Sequence, residues 1–267
     1  MRRLYINLDR SPDRRDFMEA QARRLGVAME RLAAVDGRAI SEEEYARLCP
    51  EGRGRRLARG ELACFLSHVA AWRLIAEGDA PYGAVFEDDV YVSDALAPLL
   101  TDTGWIPAGA DVVKLTGNPH RFTLAAAPTA EVGSRSVHRM LTPTIDSGGY
   151  LVSATHARRL CDALSVHTLP IDRHLMNPTP GTALYQLAPA AAVQSKFADF
   201  TFLDEPKGKS LIQTEKPRRA RRTIAATIRG ELRNLRAKVL RPLFLPVRQV
   251  FTPKSRRVMI TAVPFRR

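Results

Sequence analysis

YGAVFEDDV, residues 82–90, is the stretch that decides the fold class, because a short apolar run leads directly into three consecutive carboxylates. Four of the five residues from Tyr82 to Phe86 are apolar, and Pro81 precedes them. A run this short, bounded by a proline and by acids, is typical of an interior strand of a mostly parallel sheet. The sequence therefore predicts an α/β protein with a mostly parallel central sheet.

The three acids lie at the carboxyl end of this predicted strand, where open α/β sheets bind ligands. Adjacent carboxylates repel one another, and a divalent cation such as Mg²⁺ or Mn²⁺, which prefers oxygen ligands, would relieve the repulsion. Because side chains alternate along a strand, Glu87 and Asp89 point the same way and form the predicted metal pair. A solvated acidic turn before Ser93 explains the triplet equally well.

Positive charge is concentrated in the last part of the chain. The 267 residues carry a formal net charge of +13, yet residues 207–267 hold 18 Lys and Arg against two acids, so that residues 1–206 are close to neutral. We therefore predict a globular domain over 1–206, which is long enough for a sizeable core, and a basic extension over 207–267.

Cysteine usage and the N-terminal sequence favour a cytoplasmic protein. Cys49, Cys64 and Cys161 are odd in number and lack metal-like spacing, so no disulfide framework is expected. Residues 4–8 already have the pattern of a strand, which argues against a signal peptide. No apolar run is long enough to span a bilayer.

The chain opens with a βαβ pattern, for which parallel strands are the default: strand, helix and strand at residues 4–8, 11–25 and 29–35. The free N–H groups at the start of the helix, together with Arg10 and Arg14, could hold a diphosphate. A solvated basic helix face explains the same arginines, and Asp36 after the second strand could belong to a plain turn.

A strong helical pattern extends from Gly60 to about Glu77. Glu61 and His68 are seven residues apart and therefore lie near one face, with Cys64 between them. That face could be directed at the acidic strand, which makes Glu61 and His68 candidate catalytic groups. A hydrogen-bonded histidine at the edge of the core is the alternative for His68.

The second half alternates strands and helices with irregular insertions. We predict strands at residues 111–115, 144–152 and 183–187, helices at 93–100 and 155–164, and an irregular hairpin or mobile loop at 121–140. Asp146 precedes the pair Gly148-Gly149, which would allow a ligand or another backbone to approach closely, although a bulge also explains it. Asp172 follows Pro170-Ile171 at the start of a further element.

Taken together, seven segments resemble glycosyltransferase family 25, the family of bacterial lipooligosaccharide glycosyltransferases and animal collagen galactosyltransferases. They occur in the family's order: YINLDRSPDRR (5–15), AAVDG (33–37), RGELACFLSHVAAW (59–72), FEDDV (86–90), DSGGYLVS (146–153), PID (170–172) and PAAAVQSKFAD (189–199). The joint occurrence of the first four is specific, and the resemblance covers roughly residues 3–200.

The resemblance implies a GT-A-like nucleotide-binding sandwich with an acidic metal motif and a sugar nucleotide donor, often UDP-galactose. Glu87-Asp88-Asp89 matches the acidic motif with Glu in the first position, and the implied cofactor is Mn²⁺ or Mg²⁺. We assign the donor site to residues that match the family's motifs or adjoin the acids: Asn7, Arg10, Arg14, Asp36, Asp88, Gly148 and Gly149.

An inverting transfer also needs a group that accepts a proton from the acceptor hydroxyl. The candidates are, in order of preference, Asp172, Asp146, Glu61 and His68. Asp172 is favoured because it lies in an apolar setting after Pro170-Ile171. A cation held by Glu87 and Asp89 would neutralise the leaving diphosphate.

Residues 217–248 of the basic extension have the pattern of one or two basic amphipathic helices, with apolar residues every three or four positions. Such a segment fits the anionic inner face of the cytoplasmic membrane, where each basic residue contributes about 1 kcal/mol. Nucleic acid is disfavoured because aromatic residues are scarce in this stretch. A helix packed on a protein partner is the other alternative.

The sequence therefore predicts a metal-dependent glycosyltransferase that moves a sugar, galactose favoured, from a nucleotide sugar to lipopolysaccharide or another cell-envelope glycan at the membrane. A metal-dependent phosphate hydrolase is disfavoured, since the first strand–helix turn lacks an acidic nucleophile pair. A non-catalytic relative that binds glycan or nucleotide and docks on the membrane through its extension is the remaining alternative.

Overall fold

The computed structural model describes residues 1–52, 55–163, 167–198 and 257–266. The helices predicted at 217–248, and with them most of the basic extension, lie outside these residues. Within the described ranges, no helix has both the length and the apolar character needed to cross a bilayer.

The described chain forms twelve strands, six α-helices and a short 3-10 helix at Ser195–Phe197. The strands are β1 (Arg2–Asn7), β2 (Glu30–Ala33), β3 (Tyr82–Glu87), β4 (Val90–Val92), β5 (Val112–Lys114), β6 (Thr116–Ala125), β7 (Ala130–Val132), β8 (Arg135–Arg139), β9 (Gly149–Ser153), β10 (Leu184–Ala188), β11 (Ala192–Gln194) and β12 (Val258–Val263). The helices are α1 (Pro12–Leu25), α2 (Glu42–Leu48), α3 (Arg59–Ala76), α4 (Leu96–Thr101), α5 (Ala154–Ala163) and α6 (Ile171–Leu175).

An eight-stranded sheet with the order β2-β1-β3-β9-β5-β10-β8-β7 forms the centre of the molecule. The opening βαβ unit is confirmed, since β1 is parallel to both β2 and β3. The prediction of a mostly parallel sheet is wrong, because β9 runs antiparallel to both of its neighbours and β8 to both of its own. Residues 140–148 carry the chain from the end of β8 to the edge at which β3 ends, where the Glu87 amide donates to the Gly148 carbonyl, so β9 has to run back along β3.

A second sheet with the order β12-β6-β11-β4 lies beside the first. Residues 121–140, for which we predicted an irregular hairpin or a mobile loop, contain a hairpin of β7 with β8 and, before it, the second half of β6. The weak apolar pattern of β6 concealed a strand that is held by backbone pairing to β12, more than a hundred residues away. Residues 258–263, which we placed in the extension, are therefore part of the folded domain.

Helix α3 packs across the large sheet through the apolar residues that predicted it. Its buried side chains recur at helical spacing and include Leu62, Phe65, Trp72 and Ile75. Contact with the sheet is close at Gly83, where a Cβ atom would lie 2.4 Å from the Ile75 side chain. The predicted helices at 11–25, 60–77 and 155–164 are confirmed within about two residues of their bounds.

The topology brings several loops to one edge of the large sheet. Because β1 and β3 are parallel, their last residues, Asn7 and Glu87, lie at the same edge. The turn that enters β9 from residue 146 onward meets them there, and β11 pairs with β4 so that Gln194 lies opposite Val90. Residues that are far apart in the sequence thus converge at the end of β3.

Candidate active site

A cavity of about 350 Å³ opens at the carboxyl edge of β1 and β3. The loops that follow these two strands and β2 form its walls, together with one face of α3 and the segment after β11. Its charged lining combines four cations, Arg10, Arg14, Arg38 and Lys196, with four anions, Asp36, Glu87, Asp88 and Asp89.

Glu87 and Asp89 meet at a single amide group. Gln194 Nε2 donates to Glu87 Oε2 at 2.6 Å and to Asp89 Oδ1 at 3.2 Å. The other oxygen of Glu87 accepts a hydrogen bond from the Ser147 hydroxyl at 2.8 Å. Both acids lie on the cavity side, but β3 ends at Glu87 and Asp89 belongs to the turn that follows, so the turn and not strand alternation places the second acid.

The two acids differ in their protonation behaviour. Burial tends to raise the pKa of Glu87, but His68, Lys196 and Ser147 favour its charged form and lower the pKa to about 2. Burial, and then the negative charge of Glu87, raise the pKa of Asp89 to about 7. The pair therefore combines one carboxylate that stays ionised with a second that is about half protonated at pH 7.

Asp88 points away from this pair and connects two loops through a hydrogen bond and an ion pair. Asn7 Nδ2 donates to Asp88 Oδ2 at 2.8 Å, and Arg14 Nη1 pairs with Asp88 Oδ1 at 2.8 Å. Asn7 also donates to the Ser11 carbonyl and accepts from Arg31, so its amide is fully used within the protein. Asn7 and Asp88 thus position Arg14 and the start of α1 beside the cavity.

Arg10 and Asp36, both proposed for the donor site, form an ion pair on the cavity wall at 2.9 Å. Arg38 binds the same carboxylate at 2.7 Å. The hydrogen bonds from Arg38, and then those from Arg10, hold the pKa of Asp36 well below its usual range. One carboxylate therefore holds two guanidinium groups at the cavity.

The oxygens around Glu87 and Asp89 fit a hard divalent cation. Glu87 Oε2 and Asp89 Oδ1 both lie within hydrogen-bond distance of one amide nitrogen, and the Gln194 Oε1 atom is buried without a hydrogen-bond partner among the described residues. Rotation of the amide exchanges its nitrogen and oxygen, so that Oε1 could join the two carboxylates as a third oxygen ligand.

Asp146, the second candidate for the general base, is neutralised within the protein. Its Oδ2 atom lies 2.7 Å from Lys114 Nζ, with both side chains fully buried, and its Oδ1 atom accepts from the Gly148 amide at 2.8 Å. Lys114 also donates to the carbonyl and hydroxyl oxygens of Thr116. Asp146 has a φ of 84°, which this network holds in place.

Glu61 and His68 are also engaged. Glu61 Oε2 accepts the Ala58 amide at 2.9 Å at the start of α3 and pairs with Arg55, so it serves as a helix cap. His68 lines the cavity, with Nδ1 at 2.8 Å from the Tyr150 hydroxyl and Nε2 at 3.4 Å from Glu87 Oε1. Both alternatives for His68 therefore apply, since it is hydrogen-bonded in the core and faces the acids.

Asp172, the favoured base, keeps one oxygen without a partner. Its Oδ2 atom accepts the Asp146 amide at 3.4 Å, whereas Oδ1 is buried and has no hydrogen bond within the described ranges. Burial raises the pKa of Asp172. Its charge also contributes to the raised pKa of the Cys64 thiol, so it lies near the cavity without being among the residues that line it.

The glycine pair assigned to the donor site is explained by packing. A Cβ atom at Gly148 would lie 2.4 Å from Gln194 Cγ, and one at Gly149 would lie 3.0 Å from Phe86. Neither glycine is among the residues that line the cavity. Their lack of side chains allows Gln194 to approach the acids, and no ligand is needed to account for them.

Several residues of the site were not singled out from the sequence, among them Gln194, Lys196 and Lys114. Gln194 and Lys196 lie within a segment that carried the family resemblance, PAAAVQSKFAD, but no local pattern distinguished them. Lys114 lies inside a short strand, where a buried lysine is rare unless it is paired. Lys114 could have been found from the sequence, because a lysine within an otherwise apolar strand predicts an acidic partner.

Comparison with known proteins agrees with the resemblance found in the sequence. The model of a family described as glycosyltransferase family 25 (LPS biosynthesis protein) matches residues 1–175. Procollagen galactosyltransferase 1-A of Xenopus laevis is 31% identical over 183 residues, which are 64% of this chain and 30% of that protein. The chain therefore spans less than a third of the length of the frog protein.

Two bacterial proteins are similar over most of their length. Lipooligosaccharide biosynthesis protein lic2B of Haemophilus influenzae is 22% identical over 256 residues, covering 90% of this chain and 95% of its own. Lacto-N-neotetraose biosynthesis glycosyltransferase LgtB of Neisseria gonorrhoeae is 27% identical over 211 residues, covering 73% and 76%. Both similarities extend past residue 175, where the family match ends.

Proposed function

The chain belongs to glycosyltransferase family 25, and from this membership we propose that it transfers a hexosyl group, with galactose favoured, from a nucleotide sugar to a cell-envelope glycan such as lipopolysaccharide. The observation that carries the proposal is the convergence of Glu87 and Asp89 on one amide, in a cavity that also contains four cationic side chains. Acids for a cation and cations for a diphosphate are the two elements that such a donor requires.

The donor diphosphate is proposed to lie between the start of α1 and the acids. Arg10, Arg38 and Lys196 line this part of the cavity, and Arg14 is held there by Asp88. Arg10 and Arg38 share the carboxylate of Asp36, and bidentate contacts from guanidinium groups suit phosphate oxygens. The N-terminal end of the α1 helix dipole adds positive potential. A UDP-sugar is the favoured donor.

Glu87 and Asp89 are the proposed ligands of Mn²⁺ or Mg²⁺, with Gln194 Oε1 as a third. When bound, the cation stabilises the negative charge of the leaving diphosphate as a Lewis acid. Ser147 fixes the orientation of Glu87 through Oε1 and leaves Oε2 directed toward Gln194 and Asp89.

Asp172 is the proposed base that takes the proton of the acceptor hydroxyl in an inverting reaction. It is supported over the other three candidates by its unpartnered Oδ1 atom and by burial, which raises its pKa and strengthens it as a base. The Asp146 amide holds the other oxygen, and the Lys114–Asp146 ion pair fixes the loop that carries this amide.

Peripheral binding to the inner face of the cytoplasmic membrane is proposed from the charge of the extension alone. Residues 207–267 carry 18 basic residues and two acids, which favours contact with anionic lipid near a lipid-linked acceptor.

Release of UDP from a panel of UDP-sugars in the presence of Mn²⁺ tests the proposed function. We expect release with one sugar or a few, loss of release in Asp89→Asn, and no change in Glu30→Gln, a control at an exposed position of β2. Nucleotide binding without release from any sugar would instead support the non-catalytic relative. Absence of both binding and release would overturn the proposed function altogether.

A further inference from the structure

Helix α3 directs two potential metal ligands at Glu87. Cys64 and His68 lie four residues apart on one face of the helix. The Cys64 sulfur, a His68 ring nitrogen and a Glu87 carboxylate oxygen all lie within 4.8 Å of one another. Sulfur, imidazole nitrogen and carboxylate oxygen form a ligand set different from the oxygens of the proposed Mn²⁺ pair.

His68 provides a second and independent observation. Its side chain is only 1% exposed, and its Nε2 atom has no hydrogen-bond partner among the described residues. Glu87 Oε1 lies 3.4 Å from Nε2, an ion-pair distance that is longer than a normal hydrogen bond. A buried ring nitrogen without a partner is uncommon, and a bound ion is one of its ordinary explanations.

The other ring nitrogen of His68 has the partner that a metal-bound histidine requires. Tyr150 Oη lies 2.8 Å from His68 Nδ1 and accepts a hydrogen bond from Trp72 Nε1, also at 2.8 Å. A tyrosine oxygen has two lone pairs and can accept from both nitrogens. With the proton on Nδ1, Nε2 keeps the lone pair that a metal needs and lies 3.4 Å from Glu87 Oε1, as in metal sites where a further shell fixes the histidine.

We propose that Cys64, His68 and Glu87 bind a borderline-soft divalent cation, Zn²⁺ in the first place. Three protein ligands of the types S, N and O are typical of zinc sites that keep a further position open, and here the cavity supplies that opening. The Cys64 thiol gives its proton to solvent on binding. This site does not depend on the proposed transferase function.

Glu87 belongs to both proposed sites through different oxygens. Its Oε1 atom faces His68 and Ser147, whereas Oε2 faces Gln194 beside Asp89. The zinc site therefore lies on the α3 side of Glu87, and the hard-cation site lies on the β11 side. Only the zinc site includes a sulfur ligand, so a signal from a metal–thiolate bond distinguishes the two sites experimentally.

Titration of the metal-free, reduced full-length chain with Co²⁺ tests the proposal, because cobalt bound to a thiolate gives a sulfur-to-metal charge-transfer band in the near ultraviolet. We expect this band to saturate at one Co²⁺ per chain and to be lost on addition of Zn²⁺. Cys64→Ser should lose the band and bind Co²⁺ at least about tenfold more weakly, since even an outer-shell partner is worth that much.

The other two cysteines provide matched controls. A Cys49→Ser/Cys161→Ser double variant leaves Cys64 as the only thiol and should keep the band, which makes the test independent of whether Cys64→Ser folds. Tyr150→Phe preserves the ring and should weaken Co²⁺ binding by about tenfold. Absence of the band in the wild-type chain or in the double variant, or its persistence in a folded Cys64→Ser, would overturn the zinc site. UDP release is measured separately and leaves this result unaffected.

Discussion

Two groups of carboxylates at the same edge of the sheet are treated in opposite ways by the fold. Asp146 is completely buried, and both of its oxygens have partners, one of them the ammonium group of Lys114 at 2.7 Å. Glu87 and Asp89 share a single amide nitrogen and border a cavity, with the Glu87 side chain 20% exposed. Asp146 is thus neutralised by a lysine of the fold, whereas Glu87 and Asp89 border a cavity, where we propose that a cation binds.

The two groups of carboxylates should differ in how substitution changes the stability of the protein. Removing one partner of a buried ion pair leaves an uncompensated charge and strongly destabilises a protein. Asp89 has the Gln194 amide but no ion-pair partner among the described residues, so its removal should cost little and can stabilise, because its repulsion from Glu87 disappears. The two groups should therefore respond to substitution in opposite directions, one in stability and the other in activity.

Lys114→Met should have the largest effect and reduce the free energy of unfolding by about 3 to 5 kcal/mol, because Asp146 would remain buried without its cation. Chemical denaturation measures this change. The double variant Lys114→Met/Asp146→Asn should recover part of the loss, since Asn tolerates the positive φ of residue 146. Arg24→Met, which breaks a surface pair with Asp94, is the matched control and should cost at most about 1 kcal/mol. An unchanged unfolding curve for Lys114→Met would show that the Lys114–Asp146 pair does not stabilise the fold, and would contradict the proposed difference between the two groups of acids.

Asp89→Ala should instead reduce kcat/KM for UDP-sugar turnover on the order of 100-fold to 1,000-fold, which corresponds to about 3 to 4 kcal/mol of lost stabilisation of the leaving group. Excess Mn²⁺ should not restore activity, because a ligand is missing. Steady-state kinetics and denaturation of the same preparations separate activity from stability. A variant that lost stability while keeping its turnover would place Asp89 with Asp146 rather than opposite to it.

Asp172→Asn tests an acid with features of both groups, since one of its oxygens has a partner and the other has none. We expect kcat at saturating donor to fall by about 100-fold, the lower end of the range for loss of a general base. KM for the donor should stay nearly constant. Near-normal turnover would remove Asp172 as the base.

The smallest expected effect is a pH dependence of the stability of the metal-free protein. The pKa of Asp89 is raised from 3.8 to about 7, so the folded state holds this proton more tightly than the unfolded state does. The stabilisation is present below pH 4 and is lost as the pH rises through 7. We expect the free energy of unfolding to fall by about 1 to 2 kcal/mol over this window, less than the full shift implies, because the carboxylate borders a cavity.

Denaturation curves measured between pH 4 and 8 provide the test. Asp89→Asn should flatten the dependence, whereas Asp79→Asn at an exposed position should not. An identical slope in wild type and Asp89→Asn would show that another group carries the pH dependence.

Local patterns predicted most elements of the first half and the placement of the acids. The short apolar run located β3 with the acids at its carboxyl end, and helical spacing located α1 and α3. These features depend on residues that are close in the sequence, so the spacing of apolar and polar residues predicts them. The roles assigned to the same residues stay predictions.

The features that the sequence did not predict, the direction of β9 and the position of Gln194, depend on contacts between distant parts of the chain. The direction of β9 follows from the edge at which residues 140–148 re-enter the sheet, and no residue in β9 itself encodes it. Gln194 joins the site only because β11 pairs with β4, and the glycines before β9 make room for its side chain. Contacts of this kind belong to the topology, so a sequence pattern does not reveal them.

Strand β12 changes how the basic extension has to be studied. It covers β6 along most of its ten residues, so a truncation after residue 206 would uncover a long strand with unpaired backbone groups. Such an open edge is a template for self-association, and a truncated chain could lose vesicle binding by aggregating as readily as by losing charge. Neutral substitutions of the arginines and lysines between residues 207 and 248, with β12 left intact, would report on lipid contact alone.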